Sequence, residues 1–114
     1  MSLTQNQLRF LRSKSHPLKP LILIGNAGLT DGVCAETERA LADHELIKVK
    51  VRGTERTERD VMLCELARRT SSTLVQRIGH VASFYRVHPE APRLILPDAK
   101  LPSGQPSELK AAQR

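Results

Sequence analysis

Apolar residues follow two different periods along this chain, and Gly and Pro residues separate the segments that carry them. The first segment has the helical period. Thr4 and Gln7 stand in the spacing of a capping box, so a helix should begin after Thr4. Leu8 and Leu11 supply its buried stripe. Pro17 should end it one or two residues earlier, because proline cannot continue a helix.

The second segment is an unbroken apolar run, Leu21 to Ile24, between Pro20 and Gly25. A run without alternation indicates a strand that is buried on both faces, and such a strand belongs in the middle of a sheet. After the next turn, Thr30 can cap a second helix, which we predict from Asp31 to Asp43.

Strict alternation between Leu46 and Arg52 predicts a strand that is buried on one face only. Its apolar side carries Ile47, Val49 and Val51, and its basic side carries Lys48, Lys50 and Arg52. This basic row could bind a ligand, or it could be a solvated face that discourages aggregation. A third helix follows, with Thr57 and Asp60 as a second capping box and an end near Thr70.

Two strands close the pattern, at 73–78 and 81–87, and Gly79-His80 joins them in a hairpin. The order is α-β-α-β-α-β-β, and its strand-helix-strand units should cross over right-handedly. This order predicts a compact two-layer α/β sandwich with a four-stranded mixed sheet. We assign residues 1–97 to one domain. Residues 98–114, which lack apolar periodicity, form a predicted flexible C-terminal tail.

The charge of the chain narrows the range of partners. Its 18 Lys and Arg against 12 Asp and Glu give a net charge of +6 and a pI of about 9.9, values that favour a polyanionic partner such as nucleic acid. Residues 1–25 contain no acidic side chain. Aromatic residues make up only 3%, which disfavours recognition by stacking base after base. Contacts should therefore be mainly with a sugar-phosphate backbone.

The turn Gly25-Asn26-Ala27-Gly28, between the first strand and the second helix, is the candidate anion site. Glycines leave backbone N–H groups uncovered, and the start of the helix adds a partial positive charge. The same two glycines could serve only to reverse the chain, and Asp31 puts a carboxylate where a phosphate would otherwise lie. Both interpretations stay open on these residues alone.

Several classes of protein are disfavoured. No apolar run approaches the length of a membrane span, and no secretory signal opens the chain, so we expect a cytoplasmic protein without a membrane partner. Cys34 and Cys64 make neither a disulfide framework nor a metal pair, and we predict two buried free thiols. His44-Glu45 does not continue into a zinc motif. We expect no catalytic residues, no metal and no cofactor.

Three motifs, in this order along the chain, resemble the bacterial YhbY family, which is the stand-alone form of the CRM (chloroplast RNA splicing and ribosome maturation) domain. They are His16–Pro20, Ile24–Val33 and His44–Lys50, and the resemblance extends from Leu11 through Arg86. It implies a fold similar to the C-terminal domain of bacterial translation initiation factor 3. It also implies a non-enzymatic protein that binds ribosomal RNA in precursors of the large ribosomal subunit and assists their assembly.

The resemblance also assigns residues to RNA binding. The family's Gly-rich loop falls on Gly25, Asn26, Ala27 and Gly28, and its basic surface falls on Lys19, with Arg12 and Lys14 beside it. Lys48, Lys50 and Arg52 are our addition from the alternation of the second strand. We expect a monomer that binds RNA. The alternative is a protein-interaction adaptor whose basic surface docks an acidic partner.

Overall fold

Helices and strands follow one another in the order that the sequence predicts. The computed structural model describes residues 3–53, 55–90, 92 and 94–97. The elements within them are α1 (Gln5–Ser15), β1 (Pro20–Ile24), α2 (Asp31–His44), β2 (Leu46–Val51), α3 (Arg56–Arg69), β3 (Thr73–Ile78) and β4 (Val81–Tyr85). The predicted tail, residues 98–114, lies outside the described residues.

The four strands form one mixed sheet in the order β1-β2-β4-β3. β1 and β2 are parallel, while β4 is antiparallel to both β2 and β3. The prediction that β1 is central and buried on both faces is therefore wrong, because β1 is an edge strand. Its Leu21 and Leu23 are 54% and 48% exposed. A short apolar run has the same pattern whether one face or both faces are covered, so its position could not be deduced from periodicity.

The larger core lies on the face of the sheet that α2 and α3 cover. Alternate strand residues point to this face, and the two helices add Leu41, Leu63 and Leu66. The strand residues of this core are Ile22, Ile24, Ile47, Val49, Val51, Ala82 and Phe84. The sheet with these two helices is the two-layer sandwich that the element order predicts.

A smaller core lies on the opposite face, under α1. Leu11 of the helix packs there with Leu46, Val75 and Tyr85, and the first and last of these strand residues alternate with residues of the larger core. Burial first, and then the nearby Glu45 carboxylate, raise the pKa of Tyr85. α1 covers only this end of its face, so the rest of the face carries the polar residues of β2.

The predicted capping box is present in α1 and absent from α3, whose predicted end near Thr70 is confirmed. Thr4 Oγ1 accepts a hydrogen bond from the Gln7 N–H at 3.1 Å, and Gln7 Oε1 accepts one from the Thr4 N–H at 2.9 Å. α3 begins one residue before Thr57, and its N-cap makes no side-chain hydrogen bond. The predicted second capping box is wrong because Asp60 instead pairs with Arg77 on β3 at 2.5 Å.

Two further expectations need correction. β4 ends at Tyr85 rather than at residue 87. Cys34 is only partly buried and Cys64 is exposed, so the prediction of two buried thiols is wrong. Cys64 follows the fully buried Leu63 on α3, and the next helical position has already turned towards solvent. Within the described residues, no helix is both long enough and apolar enough to cross a bilayer.

The buried carboxylate of Glu45 fixes the segment that follows β4. Its Oε2 accepts the His88 N–H at 2.7 Å and its Oε1 accepts the Leu94 N–H at 2.9 Å. The segment then packs Leu94 and Leu96 against the smaller core, and Gln7 Nε2 donates to the Pro97 carbonyl at 3.0 Å. The described part of the chain thus returns to α1 after its last strand.

Replacing Glu45 with Gln should destabilise the protein. The new amide group would turn an N–H donor towards a backbone N–H donor, and a buried donor left without an acceptor costs about 1–3 kcal/mol. Urea denaturation measures the change in the free energy of unfolding. Glu36→Gln, at an exposed position on α2, is the matched control and should change it by less than about 0.5 kcal/mol. Equal effects of the two substitutions would contradict the role given to Glu45.

Candidate nucleic-acid interface

The Gly25-Asn26-Ala27-Gly28 turn projects from the carboxyl end of β1. The Gly28 N–H donates to the Gly25 carbonyl at 3.0 Å and closes the turn. Gly28 has φ +76°, a conformation that favours glycine. Asn26 and Ala27 are exposed. The backbone at the tip of the turn is therefore accessible to a ligand.

The turn leads directly into the start of α2. Thr30 is the N-cap, and its Oγ1 accepts the Val33 N–H at 3.1 Å, as the sequence predicts. The positive end of the helix dipole therefore lies close to the turn and favours an anion there. Asp31, in the first turn of the helix, is fully exposed, and its carboxylate lies 4.0 Å from the Arg69 guanidinium. A carboxylate in this position opposes part of the attraction for a phosphate.

The loop that follows β2 packs against the turn. Because β1 and β2 are parallel, their carboxyl ends meet at the same edge of the sheet, where the Arg52 N–H donates to the Ile24 carbonyl at 2.9 Å. Gly53 has φ +73°, and a Cβ atom there would collide with the side-chain oxygen of Asn26. Arg52, whose side chain is exposed, is thus held at the base of the turn by a backbone hydrogen bond.

The two lysines of β2 lie on the sheet face that α1 only partly covers. Lys50 is exposed. Lys48 is partly buried, and its Nζ donates to the His16 carbonyl at 3.1 Å, at the C-cap of α1. A lysine commonly satisfies the free carbonyls at a helix end in this way. The two lysines, which the sequence pattern places on the same face, therefore differ in exposure and in hydrogen bonding.

The remaining predicted cations lie near the start of β1. Arg12 and Lys14 occupy the last turn of α1 and are exposed, as is Lys19 in the connection to β1. Pro20 is paired in register with Lys48, so Lys19 is close to the beginning of the lysine row. We call the whole set, from the end of α1 to the turn, the basic strip: Arg12, Lys14, Lys19, Lys48, Lys50 and Arg52.

The ion pairs of the described residues lie away from the basic strip. The ion pairs among the described residues join Arg68, Arg69, Arg77 and Arg86 to carboxylates, and none of them involves the basic strip. Hydrogen bonds from Arg68 and Arg69 lower the pKa of Glu65 to about 2. The positive charge of the strip remains available to a ligand.

Three side chains that no sequence motif connects with the site support its edge: those of Arg59, Arg77 and His80. The Val51 N–H donates to the His80 carbonyl at 2.8 Å, which places the hairpin turn beside the end of β2. His80 Nδ1 lies 3.3 Å from Arg59 Nη1 and 3.2 Å from the Val51 carbonyl. Arg77 Nη1 donates to the Gly79 carbonyl at 3.0 Å. The contacts of His80 with Val51 and Arg59 join residues distant in sequence, so no local motif could have indicated them.

The side chains that bind metals in other proteins are scattered here. Across residues 3–53, 55–90, 92 and 94–97, no three His, Cys, Asp or Glu side chains are grouped so that they could hold a metal ion. The arrangement in this part of the chain is suited to binding an anion through backbone N–H groups and cations.

Comparison with known proteins identifies a family model and relatives that are named for RNA binding. The model of the CRS1/YhbY (CRM) domain matches residues 3–86. A Pseudomonas aeruginosa protein named "Probable RNA-binding protein" is 50% identical over 90 residues, which cover 79% of this chain and 86% of that protein. A Haemophilus influenzae protein named "RNA-binding protein" is 43% identical over 90 residues, covering 79% of this chain and 91% of the relative.

A solved structure agrees with the fold. The solution structure of a hypothetical protein from Staphylococcus aureus superimposes with a TM-score of 0.74 at 33% identity, covering 84% of this chain and 100% of that one. The chain belongs to the CRS1/YhbY (CRM) domain family. The resemblance inferred from the three motifs is confirmed. The assignment of individual residues to RNA binding stays a prediction.

Substitution of Gly53 by Ala should disturb the support of the turn. The new Cβ would meet the Asn26 side chain, and the positive φ strains any residue other than glycine, at a cost of about 1–3 kcal/mol. Gly25→Ala is the matched control, since a Cβ there meets no atom within 4 Å and its φ lies outside the left-handed region. Urea denaturation should show a loss of stability for Gly53→Ala and a change within about 0.5 kcal/mol for Gly25→Ala. If Gly53→Ala unfolds at the wild-type urea concentration, the left-handed conformation of Gly53 is wrong.

Proposed function

We propose that this protein is a non-enzymatic RNA-binding protein that binds structured ribosomal RNA in precursors of the large ribosomal subunit and assists their assembly. The observation that carries the proposal is the position of the exposed Gly25–Gly28 turn. It lies at one end of the basic strip, whose cations are not paired with carboxylates among the described residues. The membership in the CRM family and the RNA-binding names of two relatives support RNA as the ligand.

The turn and the strip have different tasks in this mechanism. The uncovered backbone of the turn binds one or two phosphates at short range, and the start of α2 behind it adds to the attraction. The strip neutralises further phosphates along the strand and releases their counterions, which supplies most of the affinity. The ligand is thus held by its backbone at two neighbouring places.

The aromatic residues do not offer a stacking platform. Phe84 and Tyr85 are buried in the two cores, and Phe10 is partly buried on α1 beneath the Lys14 ammonium, which lies 5.5 Å from the centre of the ring. Sequence-specific readers of single strands splay several bases onto exposed rings. Recognition here therefore depends on the course of the RNA backbone, which favours a structured RNA over a particular base sequence.

Salt dependence tests whether phosphates are the ligand. Raising the salt from 50 to 200 mM should weaken binding to transcribed fragments of large-subunit ribosomal RNA by about 10³-fold if six phosphates are neutralised. Lys50→Ala should reduce the slope of log K against log salt by about one, because it removes one phosphate contact. Arg39→Ala, at an exposed position on α2, is the control and should leave the slope unchanged. A filter-binding titration that is flat in salt would reject the proposal and favour the adaptor.

Ala27→Asp tests the turn itself. Two unit charges 4 Å apart in water repel by about 1 kcal/mol, so a carboxylate at the tip of the turn should weaken RNA binding about fivefold. Because Ala27 is exposed, the free energy of unfolding should change by less than about 0.5 kcal/mol. Ala42→Asp, at an exposed position about 16 Å along α2 from Asp31, adds the same charge away from the turn. If the two variants bind RNA with equal affinity in filter binding, the turn is not part of the RNA-binding site.

A further inference from the structure

A groove lies at the other end of the basic strip, between the end of α1 and the start of β1. Its volume is about 430 Å³, within the range of pockets that bind small ring-containing molecules. Its lining consists of four leucines, two exposed lysines, His44 and Ile47. We call the leucines its floor (Leu18, Leu21, Leu46 and Leu94) and the lysines its rim (Lys14 and Lys19).

The floor of the groove exposes aliphatic surface to water. Leu21 is 54% exposed and Leu18 is 38% exposed, although both are large apolar side chains. Single exposed apolar residues are common, but two that line one concave surface indicate a binding site. The burial of such residues by a ligand would release water and contribute to affinity.

The charge at the rim selects the kind of ligand. Lys14 and Lys19 line the groove, and none of its described lining residues is a carboxylate. The fitting ligand therefore combines an apolar face, for the leucine floor, with negative charge at its edge. A nucleotide has this combination, since its base is apolar on both faces and its phosphates are anionic. Pockets that receive a base extruded from a helix use apolar as well as aromatic side chains in this way.

The groove and the Gly25–Gly28 turn lie at opposite ends of one continuous surface. Leu21 precedes Gly25 by four residues of extended strand, a separation of about 13 Å. Lys48 is paired in register with Pro20, beside the groove, and Lys50 is paired with Leu23, between the groove and the turn. Phosphates that follow this register would pass along the basic strip from the groove to the turn.

We propose that the groove between α1 and β1 receives one unpaired nucleobase of the RNA, while Lys14 and Lys19 hold the phosphates beside it. The inference rests on the proposed RNA-binding function and adds to it a preference for an RNA with a bulged or looped nucleotide. Leucine floors stack less strongly than aromatic rings, so the base should contribute at the lower end of the usual range, about fivefold in affinity.

Two RNA hairpins that differ only in one base test the proposal. One carries a single-nucleotide bulge in its stem, and the other has an abasic residue at the same position, which keeps the phosphate and removes the base. The full-length protein should bind the bulged hairpin about fivefold more tightly than the abasic one in filter binding. Leu21→Ser should abolish this difference and leave the affinity for the abasic hairpin unchanged.

A matched variant separates the groove from a general loss of apolar surface. Ile78→Ser removes a side chain that is 68% exposed on β3, at the opposite edge of the sheet, and should keep the fivefold difference. If thermal unfolding shows that Leu21→Ser is not folded, Leu18→Ser tests the same floor from the connection before β1.

The outcomes distinguish this inference from the proposed function. Equal binding of both hairpins by the wild-type protein, with steep salt dependence, would overturn the nucleobase site and leave the RNA-binding function intact. Absence of binding to either hairpin and to the ribosomal fragments would overturn both. If polyglutamate displaces the bulged hairpin as effectively as unlabelled hairpin does, the surface does not prefer RNA to an acidic polypeptide and the nucleobase proposal is wrong.

Discussion

The parallel pairing of β1 with β2 is the constraint on which the candidate site depends. It brings the ends of two strands to one edge of the sheet, where the bond between the Arg52 N–H and the Ile24 carbonyl ties the two following loops together. The glycine turn is then supported by Gly53 on one side and by α2 on the other. Without this pairing the turn and Arg52 would be separate features of a basic chain.

Charge is distributed so that the two faces of the sheet differ. On the side of α2 and α3, arginines are paired with Asp31, Glu38, Asp60 and Glu65. On the side of α1, the basic strip is without such pairs among the described residues, and the groove carries lysines at its rim. The net charge of +6 is therefore not spread evenly over the protein. Its unpaired cations, among the described residues of the strip, lie on one side of the sheet and attract an anionic ligand to that side. This distribution is what joins the turn, the strip and the groove into one candidate interface.

Local patterns in the sequence were sufficient to predict the helices, strands and turns. They were insufficient to predict which of these elements lie next to one another. The capping box at Thr4, the alternation of β2 and the glycine turn each depend on residues close in the chain, and all three are present. The edge position of β1, the Glu45 bonds to the segment after β4 and the Arg59–His80 contact depend on residues far apart. The groove was not predictable for the same reason, since its lining comes from four parts of the chain that meet only after folding.

The hydrogen bond between Gln7 and Pro97 has a consequence for how the fold can be joined to other proteins. It holds the first helix beside residues 94–97, the last segment that the structure describes. A folded unit whose first and last described segments are neighbours can be inserted into a surface loop of a host protein. It can also be circularly permuted without disrupting any strand. The contact between Gln7 and Pro97 thus gives the described fold the geometry that domain insertion requires.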